Sequence, residues 1–303
     1  MEFVDNILNR IDTDKELRKS VNALVCFNDA ETGKHLSKLA AFFTLSKIEK
    51  SSVTFLQIID EDDDTTQLID KDVYQNIFIA ENKGEKEDKG ESKVVIRSFV
   101  SKSDDFVQEI INRSKEQKSN LVLIGIDKGK MTYEMYKKFI SLRSNPKNTD
   151  KFIYDQFLKD EAIILKNITT LFETNPVATG LFINKGFDEI KNIFVPILSL
   201  SDLQVLPFIY IRLSQTENIK VMIWDAIGAI QSYQKVQKLY QSFAKKTDEK
   251  VELWDISKKI DDDFILKQDL FIIGIDGWRK LMNTPLEWTK NLPSTLIFKD
   301  KTI

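Results

Sequence analysis

One apolar heptapeptide occurs twice in this chain. Leu121-Val122-Leu123-Ile124-Gly125-Ile126-Asp127 and Leu270-Phe271-Ile272-Ile273-Gly274-Ile275-Asp276 share the ending Ile-Gly-Ile-Asp. Each copy sits fourth in a series of five short runs rich in Val, Ile, Leu and Phe. The first series covers Asn22 to Asn28, Ser52 to Ile59, Lys93 to Val100, Asn120 to Ile126 and Val177 to Ile183. The second covers Asn192 to Leu198, Lys220 to Trp224, Lys250 to Trp254, Leu270 to Ile275 and Thr295 to Phe298. Amphipathic stretches separate the runs, and strands alternating with helices are the sequence form of parallel sheets in an α/β protein. The same order met twice reads as an internal duplication.

Length agrees with two units, because 303 residues exceed the roughly 100 to 200 of a typical domain. The expected division is a connecting helix over 1–20, a first domain over 21–186 and a second over 187–303. Lys and Arg number 44 against 47 Asp and Glu, a net charge of -3, so no strong field draws the chain to nucleic acid or an anionic lipid surface. Cys26 is the only cysteine and lies in an apolar run, which excludes a disulfide framework and suggests a packed thiol. No apolar stretch has the length of a signal peptide core or a membrane crossing, so a cytoplasmic location without membrane insertion is expected.

Local signals place the helices. Asn28-Asp29 is suited to capping a helix that buries Leu36, Leu39, Ala40 and Phe43, and Asp104 or Asp105 opens another with Phe106, Ile110 and Ile111 on its inner stripe. The acidic run Asp60 to Asp64 and the charged stretch Glu81 to Lys93 read as solvated loops. Met131 to Phe172 is longer than its counterpart in the second copy and is the expected partner surface.

The order and length of the strands resemble the universal stress protein fold, an adenine nucleotide alpha hydrolase-like three-layer α/β/α domain with a five-stranded parallel sheet. Asn175-Pro176-Val177-Ala178-Thr179-Gly180-Leu181-Phe182-Ile183-Asn184-Lys185-Gly186 also resembles a segment in the cytoplasmic tails of monovalent cation/proton antiporters, of the sodium/hydrogen exchanger family. That segment reads roughly Ala-Pro-Cys-Ser-Val-Gly-Ile-x-Val-Asp-Arg-Gly, and the Pro and two Gly coincide in spacing. Glu161 to Thr174 is similar to the helix before it. The resemblance implies a non-catalytic regulatory tail, at the inner face of the membrane, with a transport domain in the same full-length chain. On that reading Glu2 to Lys19, with Phe3, Val4, Ile7, Leu8 and Ile11 at helical spacing, connects the membrane part to the tail. A helix docked on the first domain is the other reading.

The resemblance also implies where ATP or AMP would sit. Nucleotide-binding universal stress proteins carry an Asp at the end of the first strand and a Gly-x-x-Gly, followed nine residues later by Gly-Ser or Gly-Thr. Here the corresponding positions are Asn28, Asp29, Gly125 and Gly129 in the first copy, the two glycines one residue too far apart for the motif, and Gly274 and Gly277 in the second. Both copies lack the later Gly-Ser, and in the second no acid follows Leu198-Ser199 until Asp202. The glycines read either as tight turns after buried strands or as a degenerate nucleotide-sensing site, with Trp278 expected to crowd the phosphates.

Other chemistry finds little support. Gly33-Lys34-His35 lacks the remaining phosphate-loop residues, and His35, the only histidine, is expected to be solvated or locally bonded. Asp60 to Asp64 and Asp261 to Asp263 lack calcium-loop spacing. Trp224, Trp254, Trp278 and Trp288 are expected to pack. The lysine pairs Lys137-Lys138 and Lys245-Lys246 are isolated helix-face charges. Neither catalytic residues nor a metal site are expected. A free-standing tandem universal stress protein binding ATP or AMP, and a small-molecule enzyme on the same sheet, are the rival readings. The last strands of the two copies are expected to pair with each other or across a homodimer.

Overall fold

The computed structural model describes residues 2–13, 20–44, 51–59, 71–83, 94–103, 105–126, 170–213, 218–284 and 286–301. The Asp60 to Asp64 run, most of the Glu81 to Lys93 stretch, and Met131 to Phe172 up to residue 169 lie outside them. In the first half the elements are α1 (Glu2–Asp12), β1 (Asn22–Phe27), α2 (Ala30–Thr44), β2 (Ser52–Ile59), α3 (Lys71–Lys83), β3 (Val95–Lys102), α4 (Phe106–Glu116), β4 (Leu121–Ile126) and β5 (Ala178–Ile183). The second half contributes β6 (Asn192–Ile197), a 3₁₀ turn over Leu200–Val205, α5 (Leu206–Leu213), β7 (Lys220–Asp225), α6 (Ala229–Ser232) and α7 (Gln234–Lys246). It continues through β8 (Val251–Leu253), α8 (Asp262–Ile265), β9 (Leu270–Gly274), α9 (Ile275–Met282), a second 3₁₀ turn over Glu287–Asn291 and β10 (Ser294–Lys299). Asp105 caps α4 by accepting from Gln108 N at 2.9 Å. The stripe of that helix differs from expectation: Val107 and Ile110 are buried, whereas Phe106 and Ile111 are only half-buried.

The ten strands of the described residues belong to one sheet, in the order β3-β2-β1-β4-β5-β10-β9-β6-β7-β8. This corrects the expectation of two separate five-stranded sheets. Counted outward from the middle, both halves have the same strand order, and within each half every pairing is parallel. The exception is the junction, where β5 and β10 run antiparallel with Phe182 opposite Leu296 and Gly180 opposite Phe298. The physical reason is at the strand edges. Each half ends in a strand that is buried almost throughout, and an unpaired row of N–H and C=O groups there is costly. Pairing the two strands satisfies both rows at once.

Side chains alternate between the two faces along every central strand. Ala23, Val25 and Phe27 enter one core while Leu24 and Cys26 enter the other, and Leu270 and Ile272 divide in the same way from Phe271 and Ile273. Burial on both faces explains why these strands read as unbroken apolar runs rather than alternating ones. The first core is roofed by α1, α2, α3, α5 and α7; the second by α4, the helical residues 170–174 and α9. No helix among the described residues is long and apolar enough to cross a membrane.

The position of α1 differs from the reading that docks it on the first domain. It precedes the first half in sequence yet packs on α5 and α7 of the second. Val4, Ile7 and Ile11 are buried there, Lys235 pairs with Asp5, Ser242 bonds Asp12, and Lys246 Nζ donates to the Asp12 carbonyl at 2.8 Å. Arg10 forms a buried ion pair with Asp300, 3.2 Å apart, just beyond β10.

The junction has little spare volume. A Cβ on Gly180 would lie 2.9 Å from Leu296 Cδ1 and 3.0 Å from Leu123 Cδ2. Gly180→Val is expected to destabilise the chain by about 1–3 kcal/mol through overpacking. The check is the urea unfolding midpoint; an unchanged midpoint would contradict close packing of β4, β5 and β10.

Candidate functional site

In an open parallel sheet, ligands bind beyond the carboxyl ends of adjacent strands whose connections depart in opposite directions. The second half has such a point between β6 and β9, the first between β1 and β4. Gly274 and Gly277 are at the former. The strand passes directly into α9 at Ile275, so the two glycines occupy the start of a helix and not a tight turn.

The space they border holds a side chain from the same half. Asp202, in the 3₁₀ turn after β6, is fully buried. Its Oδ2 accepts from Leu198 N at 2.9 Å and Ser199 N at 2.8 Å, and its Oδ1 accepts from Gly277 N at 3.0 Å. A Cβ on Gly274 would sit 2.4 Å from Asp202 Oδ1, and one on Gly277 would sit 2.1 Å from Oδ2. Both glycines are therefore required by the close approach of a carboxylate. Backbone N–H groups converging at a helix start form a nest suited to an anion, and here the anion is internal.

Around this nest the charges are arranged locally. Asp276 accepts from Ser201 Oγ at 2.9 Å and pairs with Arg279 at 3.1 Å, and Lys280 Nζ donates to the Leu198 carbonyl at 2.8 Å. Burial pushes the Asp202 carboxyl up to about 6, with the charge of Asp276 adding to the rise and the three N–H donors opposing it. Trp278 does not crowd the nest. It is buried in the core on the other face, its ring 6.4 Å from that of Phe271.

The first half closes its switch point differently. Asp29 accepts from Thr32 N at 2.8 Å and caps α2. Gly125 lies beneath the first turns of that helix, where a Cβ would be 2.2 Å from Thr32 Cγ2 and 2.6 Å from Leu36 Cδ1. Thr32 thus links Asp29 and Gly125, two of the candidate residues. Asn28 contributes its carbonyl, which accepts from Gln57 Nε2 at 3.3 Å. Gly129 lies outside the described residues. Among the described residues no group of acids, histidine and cysteine converges to hold a metal.

The segment Asn175 to Gly186 forms β5 and the turn that leaves it. Asn184 accepts from Gly186 N at 3.0 Å, and Gly186 has a left-handed φ of 80°. Lys185 N donates to Ser294 Oγ at 3.0 Å, and its Nζ donates to the Leu292 carbonyl at 2.7 Å, so the turn holds the entry to β10. His35 is bonded both within its own helix and across the fold: its Nδ1 lies 3.0 Å from the Glu31 carbonyl and 3.3 Å from Asn184 Nδ2.

No protein-family model and no curated protein matches the chain. Several solved structures are similar, two of them as follows. The cytoplasmic domain of a prokaryotic cation chloride cotransporter is 14% identical with a TM-score of 0.48, over 93% of this chain and 96% of that one. A functionally unknown protein from Pseudomonas aeruginosa PAO1 is 10% identical with a TM-score of 0.43, over 97% and 95%. Values this low leave both fold and function to be argued from the residues of this chain.

Sequence reading missed Asp202 as a site residue, because an acid four residues beyond the strand end is not at the expected position. The signal was present in the pairing of an isolated acid in an apolar stretch with two glycines at a distant helix start. Asp202→Ala leaves three N–H donors without their acceptor and is expected to cost about 1–3 kcal/mol. Inorganic phosphate should restore part of the lost thermal stability of that variant while leaving the parent unmoved. The parent carboxyl also binds its proton at higher pH folded than unfolded, where the value is about 3.9. Its contribution to stability therefore grows as pH falls from 7 through about 6 toward 4. Thermal melts of Asp202→Asn across that range should lack this component.

Proposed function

We propose that the chain is a non-catalytic cytoplasmic regulatory domain of a Na⁺ or K⁺/proton antiporter, built from two universal-stress-protein-like units. The observation that carries this reading is the internal carboxylate of Asp202, which occupies the N–H nest where a phosphate would bind. A site filled by its own chain is suited to holding a shape and not to turning over a substrate. The antiporter-like segment supports the assignment by its place in the molecule, since Asn184, Lys185 and Gly186 secure the seam between the halves. The repeated strand order supports the two units.

Regulation on this reading works through packing. A partner or ligand that favours one arrangement of the halves shifts an attached transporter only by its difference in affinity between states. The helix α1, sequentially first but docked on the second half, is placed to carry such a change across the chain. Two measurements test the proposal. Calorimetric titration with ATP and AMP is expected to give no saturable heat; saturable binding would favour the free-standing nucleotide-binding reading. Membrane-spanning segments are expected in frame beside these codons, and stop codons flanking both sides would overturn a fused transport domain.

A further inference from the structure

We propose that β3 is a docking edge for a second copy of this chain, whose own β3 pairs with it antiparallel about a two-fold axis at Ser98. Among the described residues β3 is an outer strand of the sheet, and no strand lies beyond it. It is eight residues long and pairs along its whole length with β2 on the inner side. Val95 and Val100 are exposed, at 41% and 37%. The opposite outer strand, β8, spans three residues, and such shortness guards an edge against pairing.

The inner ladder fixes which backbone groups point outward. Val95 N donates to the Ser51 carbonyl at 2.9 Å and Ser103 N to the Ile59 carbonyl at 3.0 Å, and the register between them is unbroken. In a parallel ladder one residue turns its N–H and C=O to one neighbour and the next residue turns both to the other. The odd-numbered residues of β3 therefore bond β2, and Ile96, Ser98 and Val100 present their N–H and C=O groups to the open side. A row of alternating donors and acceptors at strand spacing is matched by another extended backbone.

The residues around Ser98 are complementary to themselves. An antiparallel partner sets outward residues against outward residues, so with the axis at Ser98 the two copies of that residue meet. Ile96 then faces Val100 of the second copy, and Arg97 faces its Phe99. Two β-branched side chains adjoin, each guanidinium meets a ring, and no like charges stand directly opposed. Ser98 Oγ, which has no hydrogen-bond partner among the described residues, gains the hydroxyl of its counterpart. A foreign strand has no such built-in match. The pairing repeats at the rim what β5 and β10 do at the centre, and it closes on itself because each copy has one long edge. It does not depend on the regulatory reading.

Sedimentation equilibrium of the full chain over a concentration series, with residue-resolved amide hydrogen exchange, tests the edge. A reversible dimer is expected. In it the amides of Ile96, Ser98 and Val100 should exchange slowly and become fast on dilution, while those of Arg97 and Phe99 stay protected throughout. Val100→Pro removes one outward N–H per copy at a position where an edge strand tolerates proline, and should raise the dimer dissociation constant about thirtyfold. Should that variant fail to fold, Val100→Lys, a change at an exposed side chain, is expected to weaken the dimer likewise. A chain monomeric at every concentration, or a dimer equally tight in a folded variant, overturns the proposal. So does a dimer in which these three amides exchange fast, which moves the contact elsewhere. Slow exchange in the monomer would assign the edge to another part of the same chain.

Discussion

The antiparallel pairing of β5 with β10 is the contact on which the rest of the structure depends. Both strands are apolar on their two faces, so neither tolerates an exposed edge. Their union removes two edges at once and fuses the halves into a single sheet with continuous cores above and below. It also brings the turn after β5 against the entry to β10, where Lys185 and Ser294 join the two halves by hydrogen bonds. Among the described residues, β3 and β8 are the outer strands of the sheet.

A second constraint ties the N-terminal helix to this frame. Arg10 reaches Asp300 at the end of β10, the Asp300 N–H donates to Gln204 Oε1 at 2.8 Å, and Gln204 lies two residues from the carboxylate in the nest. The seam, the helix α1 and the closed switch point are thus joined by short polar links within a largely apolar interior. A buried ion pair adds little net stability compared with well-packed apolar residues, but losing one partner costs several kcal/mol. The value of the Arg10–Asp300 pair is in fixing which surface α1 covers.

The two switch points show how one topology reaches closure by different means. Asp202 fills the second with an internal anion, and the side chains of Thr32 and Leu36 fill the first by packing over Gly125. In each case the glycine is explained by what approaches it. Gly274 and Gly277 were legible as special positions, but their counterpart was not, because Asp202 belongs to another element 75 residues away from Gly277. Trp278 illustrates the converse error. Its bulk suggested a blocked phosphate track, whereas the helical geometry of α9 turns it to the opposite core.

The sequence by itself determined the strands, their grouping into two fives, the neighbourhoods Asn28-Asp29 and Asp104-Asp105 where α2 and α4 are capped, and the parallel character of each half. These follow from local periodicity and from apolar runs buried on both faces, which neighbouring residues alone encode. The tertiary structure decided that the halves share one sheet, that α1 crosses to the second half, and that an aspartate stands in the nest. Those outcomes depend on edges, surfaces and donors supplied by residues far apart in the chain. Only their meeting in space reveals which unsatisfied group each one satisfies.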